Sequence, residues 1–306
     1  MFGVTWAVED TFVVAYRPDR DASLFRLATV EAHTGSLTEL PEPLLGDCHR
    51  QRLLEPERLP DLRVAFIRVC QPEARANAVE HSVVMALDLE TGTTTILADL
   101  DPYSQLVGQY APTRGPGGVF AAVGSQLCET IVKADERGAV PISAELRDGA
   151  RAFRLDDPTA LAEECSATGW ATQPTLNPTA PSLALFAAPS AAGVSGFDRA
   201  GVPANLYVLD VGRGTSDLIL SGVRMPRGLH YSPDGRALAF AGSIDGRSGT
   251  WVYRLGAPAA ERVSDLRLSW LGWSPDGMRI VGLVGAETSE RPLDKELWIL
   301  ELAKEP

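Results

Sequence analysis

The tetrapeptide Ser-Pro-Asp-Gly occurs twice, at Ser232–Gly235 and at Ser274–Gly277, each time just ahead of a short apolar run. Recurrence of one turn ahead of one kind of strand restricts the chain to a repeat architecture. Each residue suits a reversal. Ser can hydrogen-bond nearby backbone, Pro fixes φ, and Asp then Gly tolerate the remaining turn geometry.

Weaker copies lie upstream. Asn177-Pro178-Thr179 precedes Leu183–Phe186, Ala111-Pro112-Thr113 precedes Val119–Val123, and Glu55-Pro56-Glu57 precedes Val64–Ile67. Trp6–Asp10, followed by Phe12–Ala15, aligns with Trp273–Gly277 and its run, which makes six units. The second half of the unit also recurs. Val30–Gly35, Leu87–Gly92 and Leu209–Gly214 each end a β-rich run with a Gly, and Ala134–Gly138 is a shortened copy. A terminal Gly supplies the positive φ that a two-strand turn requires. A unit therefore reads as strand a, Pro turn, apolar strand b, variable loop, strand c, Gly turn and strand d.

Four antiparallel strands every roughly 40 to 65 residues match a β-propeller blade. The b strands are almost continuously apolar, as expected for strands covered on both faces. The expected blades span 1–45, 46–104, 105–147, 168–224, 225–267 and 268–302, with 148–167 inserted between blades and one domain over 1–306. Only Asp157–Glu164 opens like a helix, with Asp at the cap and Pro in the first turn.

The pattern of Trp273–Gly277 followed by Ile280-Val281, and of Ser232–Gly235 followed by Leu238–Phe240, resembles the WD-like Pro-Asp repeat of TolB-type propellers and of the propeller domains of prolyl-oligopeptidase relatives. The resemblance covers the last two units well and the first four weakly. It implies an all-β, six-bladed propeller of four-stranded antiparallel blades, and little chemistry, because the motif is a turn and one fold hosts many functions.

The formal charge of −12 disfavours nucleic acid or anionic membrane as partners, since both require a basic surface. No run approaches the roughly 20 apolar residues of a membrane span. Residues 303–306 are too few for a d strand in the last unit, so its blade is expected to be incomplete. The chain is expected to be a domain of a larger protein, with a signal or anchor outside it.

Four cysteines are present. Cys48 precedes strand a of unit two, Cys70 ends its strand b, Cys128 lies near strand c of unit three, and Cys165 precedes unit four. Strand direction puts all four on one rim, where Cys48–Cys70 and Cys128–Cys165 are the local pairings, with other connectivities open. Disulfides point to an extracytoplasmic compartment; the competing reading is four idle thiols in a cytoplasmic protein.

The b–c loops share that rim and vary most, which makes it the expected binding face. Its candidate residues are Arg75, Asn77 and His81 in unit two, Arg151, Phe153, Arg154 and Trp170 between units three and four, Phe197, Asp198 and Arg199 in unit four, and Glu290 and Arg291 in unit six. The partner would be a protein or a small-molecule ligand.

No Gly-x-Ser-x-Gly elbow, phosphate-binding loop or His-Glu-x-x-His pair occurs. His230 falls in a strand a and reads as a core residue, and His33 borders a turn. His49 and His81, near Asp47 and Glu80, would make at most a weak metal site. No catalytic residue, cofactor or metal is assigned. Trp6, Trp251, Trp270, Trp273 and Trp298 read as packing between blades. The resulting expectation is a non-catalytic binding or sensing module. The alternative is a small-molecule enzyme of lactonase or strictosidine-synthase-like type that works from the central channel, and convergence of several carboxylates or amides at the axis would distinguish it.

Overall fold

A computed structural model describes residues 3–8, 10–18, 25–41, 48–59, 61, 63–72, 81–100, 113–116, 120–124, 130–142, 144–148, 151–154, 170–188, 202–285 and 295–303. The described chain is all-β and antiparallel. Strands β1 (Val4–Val8), β2 (Thr11–Tyr16), β3 (Arg26–Glu31) and β4 (Leu37–Glu39) form the first sheet. β5 (Arg50–Arg58), β6 (Val64–Gln71), β7 (His81–Leu87) and β8 (Thr94–Asp99) form the second, and β9 (Thr113–Arg114), β10 (Phe120–Gly124), β11 (Thr130–Asp135) and β12 (Gly138–Pro141) the third. β13 (Glu145–Asp148) and β14 (Arg151–Arg154) make a hairpin. Seven strands follow in one sheet: β15 (Trp170–Leu176), β16 (Ser182–Ala188), β17 (Pro203–Asp210), β18 (Thr215–Tyr231), β19 (Ala237–Ile244), β20 (Arg247–Arg254) and β21 (Glu261–Ser264). β22 (Ser269–Trp273), β23 (Arg279–Gly285) and β24 (Lys295–Glu301) complete the order as a three-stranded sheet.

The seven-stranded sheet is continuous because β18 serves two neighbours. Its first residues pair with β17 and its last with β19, across register shifts at Arg224, Arg227 and His230. Met225 and Gly228 have positive φ in this stretch, 50° and 65°, which bends the strand. The boundary expected between 224 and 225 thus falls inside one strand.

The uninterrupted apolar b strands have a specific use. Side chains alternate across a strand, and each alternate set enters a different apolar cluster. From β6, Val64 and Phe66 pack with Val13, Ala15 and Leu27, whereas Ala65, Ile67 and Val69 pack with Val132 and Ala134. From β16, Leu183 and Leu185 join Ile142 and Leu146, and Ala184 and Phe186 join Leu238 and Phe240. From β23, Ile280 joins Ala239 and Val252, and Val281 and Leu283 join Val4, Trp6 and Phe12. Among the described residues six such clusters run in succession, and the last returns to the first sheet. That return is sealed by Trp6 Nε1, which donates to Gly272 O at 3.2 Å, and by the Arg279 guanidinium, 4.5 Å from the Trp6 ring centroid.

The Ser-Pro-Asp-Gly turns form as their composition dictates. Gly235 and Gly277 N–H donate to Ser232 and Ser274 O at 2.9 Å, with φ of 71° and 70°. Ser232 Oγ donates to Asp234 Oδ1 and accepts from Ala237 N–H, and Ser274 repeats the arrangement with Asp276 and Arg279. Gly35, Gly92 and Gly214 hold positive φ in the second turn of their units.

Two turns differ from expectation. Pro56 lies within β5, next to a bulge between Leu54 and Glu57, and the reversal runs from Leu59 to Arg63, whose O accepts Leu59 N–H at 2.8 Å. Thr113 lies in β9 rather than in a turn, and the chain reverses between Arg114 and Phe120, which pair. In both units a second proline four places downstream, Pro60 or Pro116, follows the strand. Strand pairing selects the later proline, because stopping at the earlier one would leave the end of the neighbouring b strand without a partner.

Trp6 and Trp251 are buried as expected, whereas Trp298 is exposed. Asp157–Glu164 lies outside the described residues. Among the described residues no helix is long and apolar enough to cross a membrane.

Candidate binding site

One register of the chain meets at a common point. Glu57, Thr113, Thr175 and His230, which line it, each stand three residues ahead of a proline in the sequence. The innermost strands β1, β5, β9, β15, β18 and β22 all contribute to one cavity of about 490 Å³, through Thr5, Glu57 and Arg58, Thr113 and Arg114, Thr175 and Leu176, His230 and Tyr231, and Trp273. Exposed Pro116, Pro178, Pro233 and Pro275 line its mouth, so it lies on the Pro-turn side.

Hydrogen bonds between successive inner strands fix the wall. Thr5 Oγ1 accepts Arg58 N–H at 3.2 Å, Thr113 Oγ1 accepts Leu176 N–H at 2.8 Å, and Thr175 Oγ1 accepts Tyr231 N–H at 3.4 Å. Trp273 Nε1 donates to His230 O at 3.2 Å. The expected role of Trp273 as simple packing is therefore incomplete, since it also forms part of the cavity wall.

Inside the cavity His230 Nδ1 lies 3.7 Å from Glu57 Oε2, with side chains 11% and 26% exposed. Burial pushes the Glu57 carboxyl up to about 8 and the His230 imidazole down to about 4, because each charged form loses hydration. Arg58 is braced by its Nε, which donates to Ala7 O at 3.0 Å. Among the described residues neither Arg58 nor Arg114 is paired with a carboxylate.

Most residues expected to form the binding rim lie outside the described residues, and none of the described ones lines this cavity. Arg75, Asn77, Phe197, Asp198, Arg199, Glu290 and Arg291 lie outside them, as do Cys128 and Cys165. His81 is exposed at the start of β7, and Trp170 begins β15, at the end away from Thr175. Arg151, Phe153 and Arg154 belong to β14, paired with β13, and Glu145 O of β13 accepts Ser216 Oγ–H beside the start of β18. The Cys48–Cys70 disulfide is present, with Cα atoms 5.5 Å apart. His49 and His81 gather no metal site, since Asp47 and Glu80 lie outside the described residues, and no cluster of three metal-ligating side chains occurs among those described.

No family model matches the chain, and no curated protein is similar to it. Solved structures are. TolB from Acinetobacter baumannii superimposes over 97% of this chain with a TM-score of 0.59 at 14% identity. The chain has a TolB-like propeller fold. It spans 62% of that TolB chain. An oligogalacturonate lyase in complex with manganese matches 96% of this chain and 74% of its own, with a TM-score of 0.52 at 13% identity. A puromycin hydrolase matches 98% of this chain and 51% of its own, with a TM-score of 0.56 at 14% identity. At these identities the likeness extends to fold alone, and its company includes enzymes.

Sequence reasoning missed the cavity because its inner register is only partly uniform, threonine at Thr5, Thr113 and Thr175 but a carboxylate at Glu57 and an imidazole at His230. The signal that could have found them is their spacing ahead of the turn prolines, which was obscured by aligning units two and three on Pro56 and Pro112.

Proposed function

We propose that this chain is a closed six-bladed propeller that acts as a non-catalytic binding or sensing module and takes a small ligand in its axial cavity. Six apolar seams in circular succession support the blade count, with β18 shared between the fourth and fifth blades. The observation that carries the functional reading is that all six inner strands line one cavity of about 490 Å³, within the size range of small-molecule sites. Among the described residues its lining includes one carboxylate and no amide side chain, which favours binding over the channel enzyme. The Cys48–Cys70 bridge supports an oxidising, extracytoplasmic compartment.

A second reading rests on the Glu57–His230 pair, which has the reach for acid–base work once a ligand draws the two together. One experiment addresses both. The protein is labelled with 5-fluorotryptophan, Trp273→Phe identifies the 273 resonance, and a fragment library is screened by fluorine NMR with mass spectrometry of each hit. Binding predicts hits that move the 273 resonance and are recovered unchanged. Consumed hits would support the enzyme, and hits that move only other resonances would overturn the axial site.

A further inference from the structure

From the charge distribution of the axial cavity we infer that its ligand is a small oxyanion, a carboxylate or phosphate held by Arg58 and Arg114. The inference rests on the axial cavity being the binding site. Two arginines, Arg58 and Arg114, line one open-mouthed cavity in a chain whose overall charge is −12. A cationic cavity in an acidic protein concentrates field on whatever enters it. Guanidinium forks match carboxylate and phosphate oxygens in pairs.

The remaining lining is consistent with an anion. β1, β15 and β22 contribute Thr5, Thr175, Leu176 and Trp273, none of them charged. β18 contributes His230 and Tyr231, and the single carboxylate among the described lining residues, Glu57 of β5, is desolvated in a way that opposes its negative form. Arg58 is fixed by Ala7 O before any ligand arrives, so little ordering cost attends binding. The volume sets an upper size limit that excludes a folded partner from the cavity itself.

The probes are citrate, pyrophosphate, the neutral disaccharide trehalose and the cation putrescine, each titrated calorimetrically into the full chain at low salt. Citrate, pyrophosphate or both should bind and move the Trp273 resonance, with the stronger of the two identifying the source chemistry. Arg114→Ala should weaken that binding by about tenfold or more, the loss expected for one charged hydrogen-bonded partner, and Arg114→Lys should restore part of it. Affinity should fall as pH rises through 8, when Glu57 gains its charge, and Glu57→Gln should remove that fall. Equal anion affinity in Arg114→Ala and the parent, or no anion binding at millimolar concentration while trehalose or putrescine moves the Trp273 resonance, would overturn the oxyanion and leave the cavity as a site. Failure of every probe and every library fragment to reach Trp273 would overturn both.

Discussion

Glu57 and His230 make the pH dependence of stability calculable. Glu57 rises from its ordinary 4.5 to about 8 and His230 falls from 6.5 to about 4, both through burial. The raised carboxyl contributes stability that is full below pH 4.5 and lost as pH rises through 8; the lowered imidazole contributes stability present above 6.5 and lost as pH falls through 4. Between 4.5 and 6.5 the folded pair and the unfolded pair each hold one proton, so the two slopes cancel. Above 6.5 the unfolded pair holds none while the folded pair keeps one until pH 8. Stability should therefore stay level from pH 4.5 to 6.5 and fall by about 2 kcal/mol between 6.5 and 8.

Because the count concerns the pair, the result is the same whichever partner holds the shared proton. The Glu57 side chain is 26% exposed, which screens its charge, so about 2 kcal/mol is an upper bound. Asp61 and Asp276, held below the ordinary carboxylate range by hydrogen bonds from Arg63 and Ser274, lose their contribution only as pH falls below that range and do not enter this window. Urea denaturation at half-unit steps from pH 5 to 8.5 measures the profile. Glu57→Gln removes the proton-holding partner and should abolish the decline above 6.5. Identical profiles for parent and variant would refute the burial argument.

Three further outcomes follow. Gly235→Ala should cost about 2 to 3 kcal/mol, because its φ is +71° and a Cβ would stand 2.3 Å from Asn177 Oδ1; Gly246→Ala, at φ +76° with open space around it, should cost only about 1 kcal/mol, and chemical denaturation of both separates strain from collision. Trp6→Leu, which removes a fully buried ring and the donor to Gly272 O, should cost about 3 kcal/mol or more in the same assay. Reducing the Cys48–Cys70 bridge, with its separation of 22 residues, should lower stability by about 3 kcal/mol, read as a shift in the urea midpoint, whereas Cys48→Ser/Cys70→Ser should show no shift on reduction that this bridge accounts for.

The parts of the fold that were legible are those written in residue type. Ser232, Pro233, Asp234 and Gly235 each have a local reason to make a turn, and Gly35, Gly92 and Gly214 a backbone reason to be glycine. The runs Val64–Ile67 and Leu183–Phe186 announce strands buried on both faces. Cys48 and Cys70 could be paired because antiparallel strands return a chain to the same rim. What was not legible depends on register between units. Pro56 and Pro60 are equally good turn residues in isolation, and only the pairing of β5 with β6 chooses between them. The cavity was hidden for a related reason. Thr113 and Thr175 share a hydroxyl that accepts a backbone N–H of the next inner strand, but Glu57 and His230 share nothing with them except position. All four meet because separate inner strands converge, a long-range fact that no local propensity encodes. Trp298 was misread since apolar bulk indicates burial only where a neighbour exists to cover it.

The contact between Trp6 and Gly272 spans 266 residues of sequence. During synthesis the first sheet emerges long before the strand that will shield its apolar face, and Val4, Phe12 and Val14 must wait in water or in the care of a chaperone. Such distant closure slows folding and lengthens exposure to association between nascent chains. A circular permutant opened at the Gly246 turn would join the two sheets early and leave a different pair waiting, so the location of the break sets which face is at risk on the ribosome.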